Sequence, residues 1–248
     1  MPADQPTILA TSGGARVSRR HHLAPGALLW HAVALGRGGE RSRLCYLGTA
    51  SGDDLFHQAH LFDAFSGTGL EFSCLRLFSM PNVPDLREHL LRQDVVWVGG
   101  GSVAGLLAMW RLHGLDQIFR EVWEAGVVLA GVSAGSICWH VGGTTDSFGP
   151  ELRPVIDGLA LLPYANGVHY DVEPQRRPLL HQLVGDGTLP DAYATDNGVG
   201  LLYRGTELVE AVSEIAGAGA YSVRRTGPGT VLEERIEPRL LPEPPAEE

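Results

Sequence analysis

Apolar positions along the chain fall into short unbroken runs, separated by stretches in which they recur every three or four residues. The runs Thr7–Gly14, Arg41–Leu47, Leu70–Leu77, Asp94–Gly101 and Val127–Val132 have the length and branched-aliphatic content of buried strands. In the third run Phe72, Leu75 and Leu77 are the expected buried positions. Helical patterns lie between them. Asp53 is placed to cap a helix whose apolar face is Leu55, Phe56, Ala59, Phe62 and Phe65. Pro84-Asp85 opens a short helix ending near Arg92. Two more follow, one with Val103, Leu106, Leu107 and Trp110 on one face, the next with Ile118, Phe119, Val122 and Trp123.

Strands alternating with helices predict an α/β fold, a mostly parallel sheet with helices on both faces and its site at the carboxyl ends of the strands. The second half is less regular. Strands are expected near Gly158–Leu162, Gly198–Tyr203, Thr206–Val212 and Thr230–Glu234, with a helix at Pro178–Val184. The pattern is that of one domain over residues 1–237, followed by a proline-rich tail, 238–248, expected to be frayed.

One corner carries candidate chemistry. The apolar run 127–132 reaches Gly131-Val-Ser133-Ala-Gly135 and then continues as a helix, which is the G-x-S-x-G nucleophile elbow pattern. A serine at such a corner has unfavourable backbone angles and a neighbouring chain close by, so the residues two before and two after must be nearly free of side chain. The turn points the hydroxyl outward under the unpaired N–H groups of the new helix. An ordinary glycine-rich strand–helix loop has the same pentapeptide, so its surroundings decide.

Composition narrows the partners. The 248 residues are 44% hydrophobic and 19% charged, a globular balance. A formal charge of −10 argues against nucleic acid or an anionic membrane as the main partner. No apolar run reaches bilayer length and the N-terminus lacks a charged-then-apolar leader pattern, so a cytoplasmic location is expected. Cys45, Cys74 and Cys138 are scattered and read as buried thiols, and no His or acid cluster has metal-ligand spacing. Neither a metal nor an organic cofactor is expected.

A serine nucleophile needs a base, a group that orients the base, and donors for the oxyanion. Three histidines follow Ser133. His140 lies in the helix leaving the elbow and points elsewhere, and His181 sits beside Leu180 and Leu183 as a surface or edge residue. His169, in Asn166-Gly-Val-His-Tyr-Asp171, lies in a loop after an apolar strand, where a base is often held. Asp146 and Asp196 are the candidate orienting acids, whereas Asp171 and Glu173 follow His169 too closely, and composition leaves the choice open. Gly99-Gly-Gly101 is the natural oxyanion loop, with the N–H of Ala134 as the second donor. Gly99-x-Gly101-x-x-Ala104 also satisfies a relaxed dinucleotide fingerprint, but no later strand ends in the required acid.

Taken together, Val96-Trp-Val-Gly-Gly-Gly101 with Leu106-Leu107, the elbow to Ser136, the His169 loop with Arg176, and Thr195-Asp-Asn-Gly198 before a strand resemble the peptidase E and cyanophycinase family of serine peptidases. The resemblance implies a flavodoxin-like sheet related to class I glutamine amidotransferases, with Ser133 as nucleophile, His169 as base and Asp196 as the third member. It makes Asp146 a supporting or alternative acid, and Gly101 and Ala134 the oxyanion donors. Gly100, Ser102, Glu173 and Arg176 are the expected substrate contacts. Glu173 stands where the family's aspartyl dipeptidases carry an arginine for the substrate's aspartate, and a carboxylate there would repel that side chain. The expected activity is hydrolysis of short peptides, dipeptidase-like but not strictly aspartate-specific, and the resemblance allows a homodimer. An esterase or amide hydrolase with the same triad, and a non-catalytic binding protein of the same fold, are the alternatives.

Overall fold

The runs of the first half form a parallel sheet, and the alternation of their side chains explains why helices cover both of its faces. The structure is a computed structural model describing residues 3–18, 22–36 and 41–244. Its elements begin with β1 (Thr7–Thr11), β2 (Ala15–Arg16), β3 (Ala24–Pro25), α1 (Ala27–Leu35), β4 (Arg43–Leu47), α2 (Leu55–Phe65), β5 (Glu71–Leu75) and α3 (Leu86–Leu91). They continue with β6 (Val95–Val98), α4 (Val103–Leu112), α5 (Leu115–Glu124), β7 (Val128–Val132), α6 (Ala134–Ile137), β8 (Gly142–Thr145), β9 (Arg153–Val155) and β10 (Ala165–Gly167). The last are α7 (Arg176–Asp186), β11 (Ala192–Thr195), β12 (Val199–Arg204), β13 (Glu207–Ser213), β14 (Ala220–Gly227), β15 (Thr230–Ile236) and β16 (Arg239–Leu240).

Among the described residues the larger sheet runs β16-β13-β12-β1-β7-β6-β4-β5, parallel from β1 to β5 and antiparallel where β12 meets β1 and β13. Successive strand residues point to opposite faces. Ile8, Ala10, Val96, Val98 and Leu129 meet the α4–α6 side, where Trp110, Phe119 and Trp139 pack ring against ring. Leu9, Val95, Trp97, Val128 and Ala130 meet α1 and α2. A second sheet, β15-β14-β11-β10-β8-β9, carries α7 and lies at the carboxyl end of the elbow. No helix among the described residues is long and apolar enough to cross a membrane.

The second half departs from the expected pattern. Gly158–Leu162 is an irregular loop, and the chain reaches the smaller sheet instead through β8 to β11, three- and four-residue strands too short to show a period. The hairpin strand β14 and the first-half elements β2, β3 and α1 were also not legible. In α1 apolar residues run nearly without interruption, so no stripe stands out. Asp54, not Asp53, caps α2, accepting from the N–H groups of Phe56 and His57. Asp53 is buried with left-handed φ of 56° and accepts from Leu77 and Phe78 N–H. The buried stripe of α2 is Gln58, Leu61, Ala64 and Phe65, leaving Leu55, Phe56 and Phe62 exposed. The tail expected to fray instead extends the large sheet. There β16 lies parallel to β13, Leu241 donates to Ser213 O at 2.7 Å, and its side chain is buried. Residues 245–248 fall outside the described part.

Candidate active site

The elbow is built by exclusion. Ser133 has φ 57° and ψ −112°, a conformation costly for a residue with a side chain. A Cβ on Gly131 would stand 2.4 Å from Gly135 O, and one on Gly135 would stand 2.2 Å from Val98 O. Neither position therefore tolerates even alanine. Beyond the corner, α6 begins at Ala134 and Ser133 is half-buried, its Oγ without a hydrogen-bond partner among the described residues.

The end of β1 gathers the other loops around this corner. Thr11 O accepts the N–H of Ser133 at 3.0 Å. The Oγ of the next residue, Ser12, accepts the N–H of His169 at 3.2 Å and meets Thr195 Oγ1 at 2.7 Å. Ser12 O accepts the N–H of Gly198 at 2.9 Å, and Ser12 N–H donates to Val199 O at 2.8 Å. Two adjacent residues thus tie the elbow, the His169 loop and the Asp196–Gly198 turn to one end of the sheet. Sequence reasoning missed Ser12, because its partners lie more than 150 positions away.

The imidazole has an unexpected partner. His169 stands just past β10 with φ 55°, and its Nδ1 lies 2.5 Å from Asn197 Oδ1. The acid expected there, Asp196, is not bonded to the ring. Its N–H donates to Gly219 O and its Oδ2 accepts from Gly219 N–H at 2.8 Å and Tyr221 Oη–H at 3.2 Å. Asp196 continues the pairing of β11 with β14, which turns its side chain toward the hairpin and leaves Asn197 facing His169. Without β14 in the predicted pattern, the parity of that turn could not be set. Asp171 accepts the N–H of Asn197 at 2.9 Å.

The glycine loop stands beside the nucleophile. A Cβ on Gly100 would lie 3.4 Å from Ser133 Cβ and 4.0 Å from its Oγ, and one on Gly101, at φ 132°, would strike Ala50 O at 2.4 Å. Among the described residues the N–H groups of Gly101 and Ala134 have no acceptor.

Two of the expected substrate contacts, Ser102 and Arg176, make bonds within the scaffold. Ser102 caps α4, its Oγ accepting from Gly105 N–H. Arg176 is 3% exposed, donating to Thr144 O and to Glu173 Oε2, each at 2.7 Å, so its charge is used internally and neutralised by Glu173. Asp146 is exposed and shares a shallow depression with Glu173 and Gln175, and it makes no bond with His169. His140 is fully buried between Ser136 O and Tyr203 Oη, and burial lowers its pKa to about 4. The cysteines are buried too, with the Cys45 thiol pushed up to about 12 by desolvation.

The family model of peptidase family S51 matches residues 8–211. The chain belongs to peptidase family S51. This peptidase is 42% identical over 184 residues to the uncharacterized peptidase YgaJ of Bacillus subtilis, covering 74% of this chain and 79% of that one. It is 30% identical over 121 residues to peptidase E of Shewanella denitrificans, covering 48% and 51% of the two. Its fold is similar to that of a peptidase from an acI-B1 actinobacterium, with a TM-score of 0.69 at 16% identity over 94% of this chain and 95% of the other. It is similar also to that of a putative peptidase E from Listeria monocytogenes, with a TM-score of 0.57 at 17% identity over 93% and 98%. The S51 peptidase is thus a serine hydrolase on an α/β scaffold of mostly parallel strands.

Proposed function

We propose that this S51 peptidase hydrolyses short peptides with Ser133 as nucleophile, His169 as general base and Asn197, in place of Asp196, as the residue that orients the imidazole. Ser133 Oγ attacks the scissile carbonyl while His169 Nε2 takes its proton and then delivers it to the leaving amine. Asn197 Oδ1 accepts from Nδ1–H, which leaves the Nε2 lone pair free for the hydroxyl. The N–H groups of Gly101 and Ala134 receive the oxyanion. Ser133 and His169 are not hydrogen-bonded here, and such contacts commonly tighten when substrate binds.

The observation that carries this reading is the strained Ser133 corner, anchored through Thr11 and Ser12 to the loop holding His169 against Asn197. Ser133→Ala is expected to lower kcat by at least about 10⁴-fold with an unchanged melting temperature, and a fluorophosphonate is expected to label the parent at Ser133 alone. Peptide turnover retained by the variant refutes the assignment.

A further inference from the structure

Beside the imidazole opens a cavity of about 630 Å³. Its wall carries His169, Asn197 and Gly100, and its depth is formed largely by Leu29, Leu61, Phe65, Phe72 and Trp97, side chains from the α1–α2 face of the sheet. Among the described residues the carboxylates are the charged groups on its wall. Glu214 and Asp54 line it, and no Arg does among the described residues. Glu214 accepts from Gly14 N–H at 3.0 Å and from Leu28 N–H at 3.2 Å at the start of α1, which fixes its carboxylate in place. Burial lowers the pKa of His57, a further wall residue, favouring its neutral form, although nearby Asp54 opposes this.

Which part of a substrate enters follows from the proton's path. The base gives its proton to the leaving amine, so the leaving residue must stand over His169. The depression around Asp146 and Glu173 has neither His169 nor Asn197 in its wall, whereas the cavity has both. We propose that the cavity is the subsite for the side chain of the leaving residue, accepting apolar and above all aromatic side chains and refusing anionic ones. This rests on Ser133 and His169 acting as described. Burying a Leu or Phe side chain is worth about 1.5–3 kcal/mol, or roughly 10- to 150-fold. An anionic side chain would instead lose its hydration beside two carboxylates.

The test is a dipeptide panel with the first residue varied and the second set to Gly, Leu, Phe or Asp. For every first residue turned over, kcat/KM is expected to be at least about tenfold higher with Phe or Leu than with Gly, and lowest with Asp. Leu61→Trp, which fills the cavity, should bring the Phe-to-Gly ratio to near one. Ile215→Trp at the more exposed rim should lower the same ratio and serves if the first variant does not fold. Equal rates for Gly and Phe, or a preference for Asp, in protein still labelled at Ser133 overturns the subsite and leaves the nucleophile standing. No labelling and no turnover of any peptide overturns both.

Discussion

Asn197 offers His169 an oxygen without a charge. It can fix the tautomer and the ring plane, but on the proposed mechanism it would give an imidazolium formed during acylation no electrostatic support. Asn197→Ala should therefore lower kcat on the order of 10²-fold, through a ring free to rotate. Asn197→Asp should place a carboxylate against Nδ1 and favour the protonated ring. The acid limb of the kcat/KM profile then moves to higher pH, because a higher pH is needed to free the base. A profile that stays put in the Asp variant would show that position 197 does not face the catalytic base in solution. The corner at Ser133 and the glycine loop beside it were legible from residue type and spacing because both are local devices set by a few consecutive residues. The partner of His169 was not, because neighbouring residues in a turn differ in direction, and Gly219 and Tyr221 decide which of the two faces inward.

The β14–β15 hairpin reaches the same site through a clamp on α7. The guanidinium of Arg177 lies 4.6 Å from the ring centres of both Tyr170 and Tyr221. Glu233 on β15 accepts from Tyr170 Oη–H at 2.9 Å, and His181 Nε2 lies 2.8 Å from the same carboxylate. Tyr170 follows His169 in the chain, and Tyr221 holds Asp196, the neighbour of Asn197. The clamp thus braces the neighbours of His169 and Asn197 from behind, and on the proposed mechanism it acts through those two residues. Two cation–π contacts of about 0.5–2 kcal/mol each set the scale. Arg177→Met is expected to lower kcat about 3- to 30-fold with KM little changed, and Arg177→Lys should recover part of the loss. Equal kcat in parent and Met variant would reduce the cluster to a contribution to stability.

Across the whole molecule, acid sensitivity should have a buried source. His140 titrates near 6.5 when unfolded and at about 4 when folded, because desolvation opposes its charge, while its contact with Ser136 O works weakly the other way. Its folded pKa lies below its unfolded value, so the unfolded chain takes up the proton first. Stability is then lost as pH falls from about 6.5 toward 4, by roughly 3 kcal/mol from this group alone. The urea midpoint should drop over that window, and His140→Gln, although less stable at pH 7, should show a shallower decline. An identical decline in the variant would assign the loss to other groups.

By itself the sequence determined the alternation of strand and helix in the first half, the corner at Ser133 and the glycine loop beside it. Each follows from local periodicity or from the sterics of a few consecutive residues. The tertiary structure decided what depends on distant partners. Thr11 and Ser12 together became the junction of three loops, Asn197 replaced Asp196 beside the ring, Arg176 was spent on Glu173 and Thr144, and β16 joined the sheet instead of fraying. Short strands and turns carry too little period to direct their own side chains, and backbone groups brought from elsewhere in the chain direct them instead.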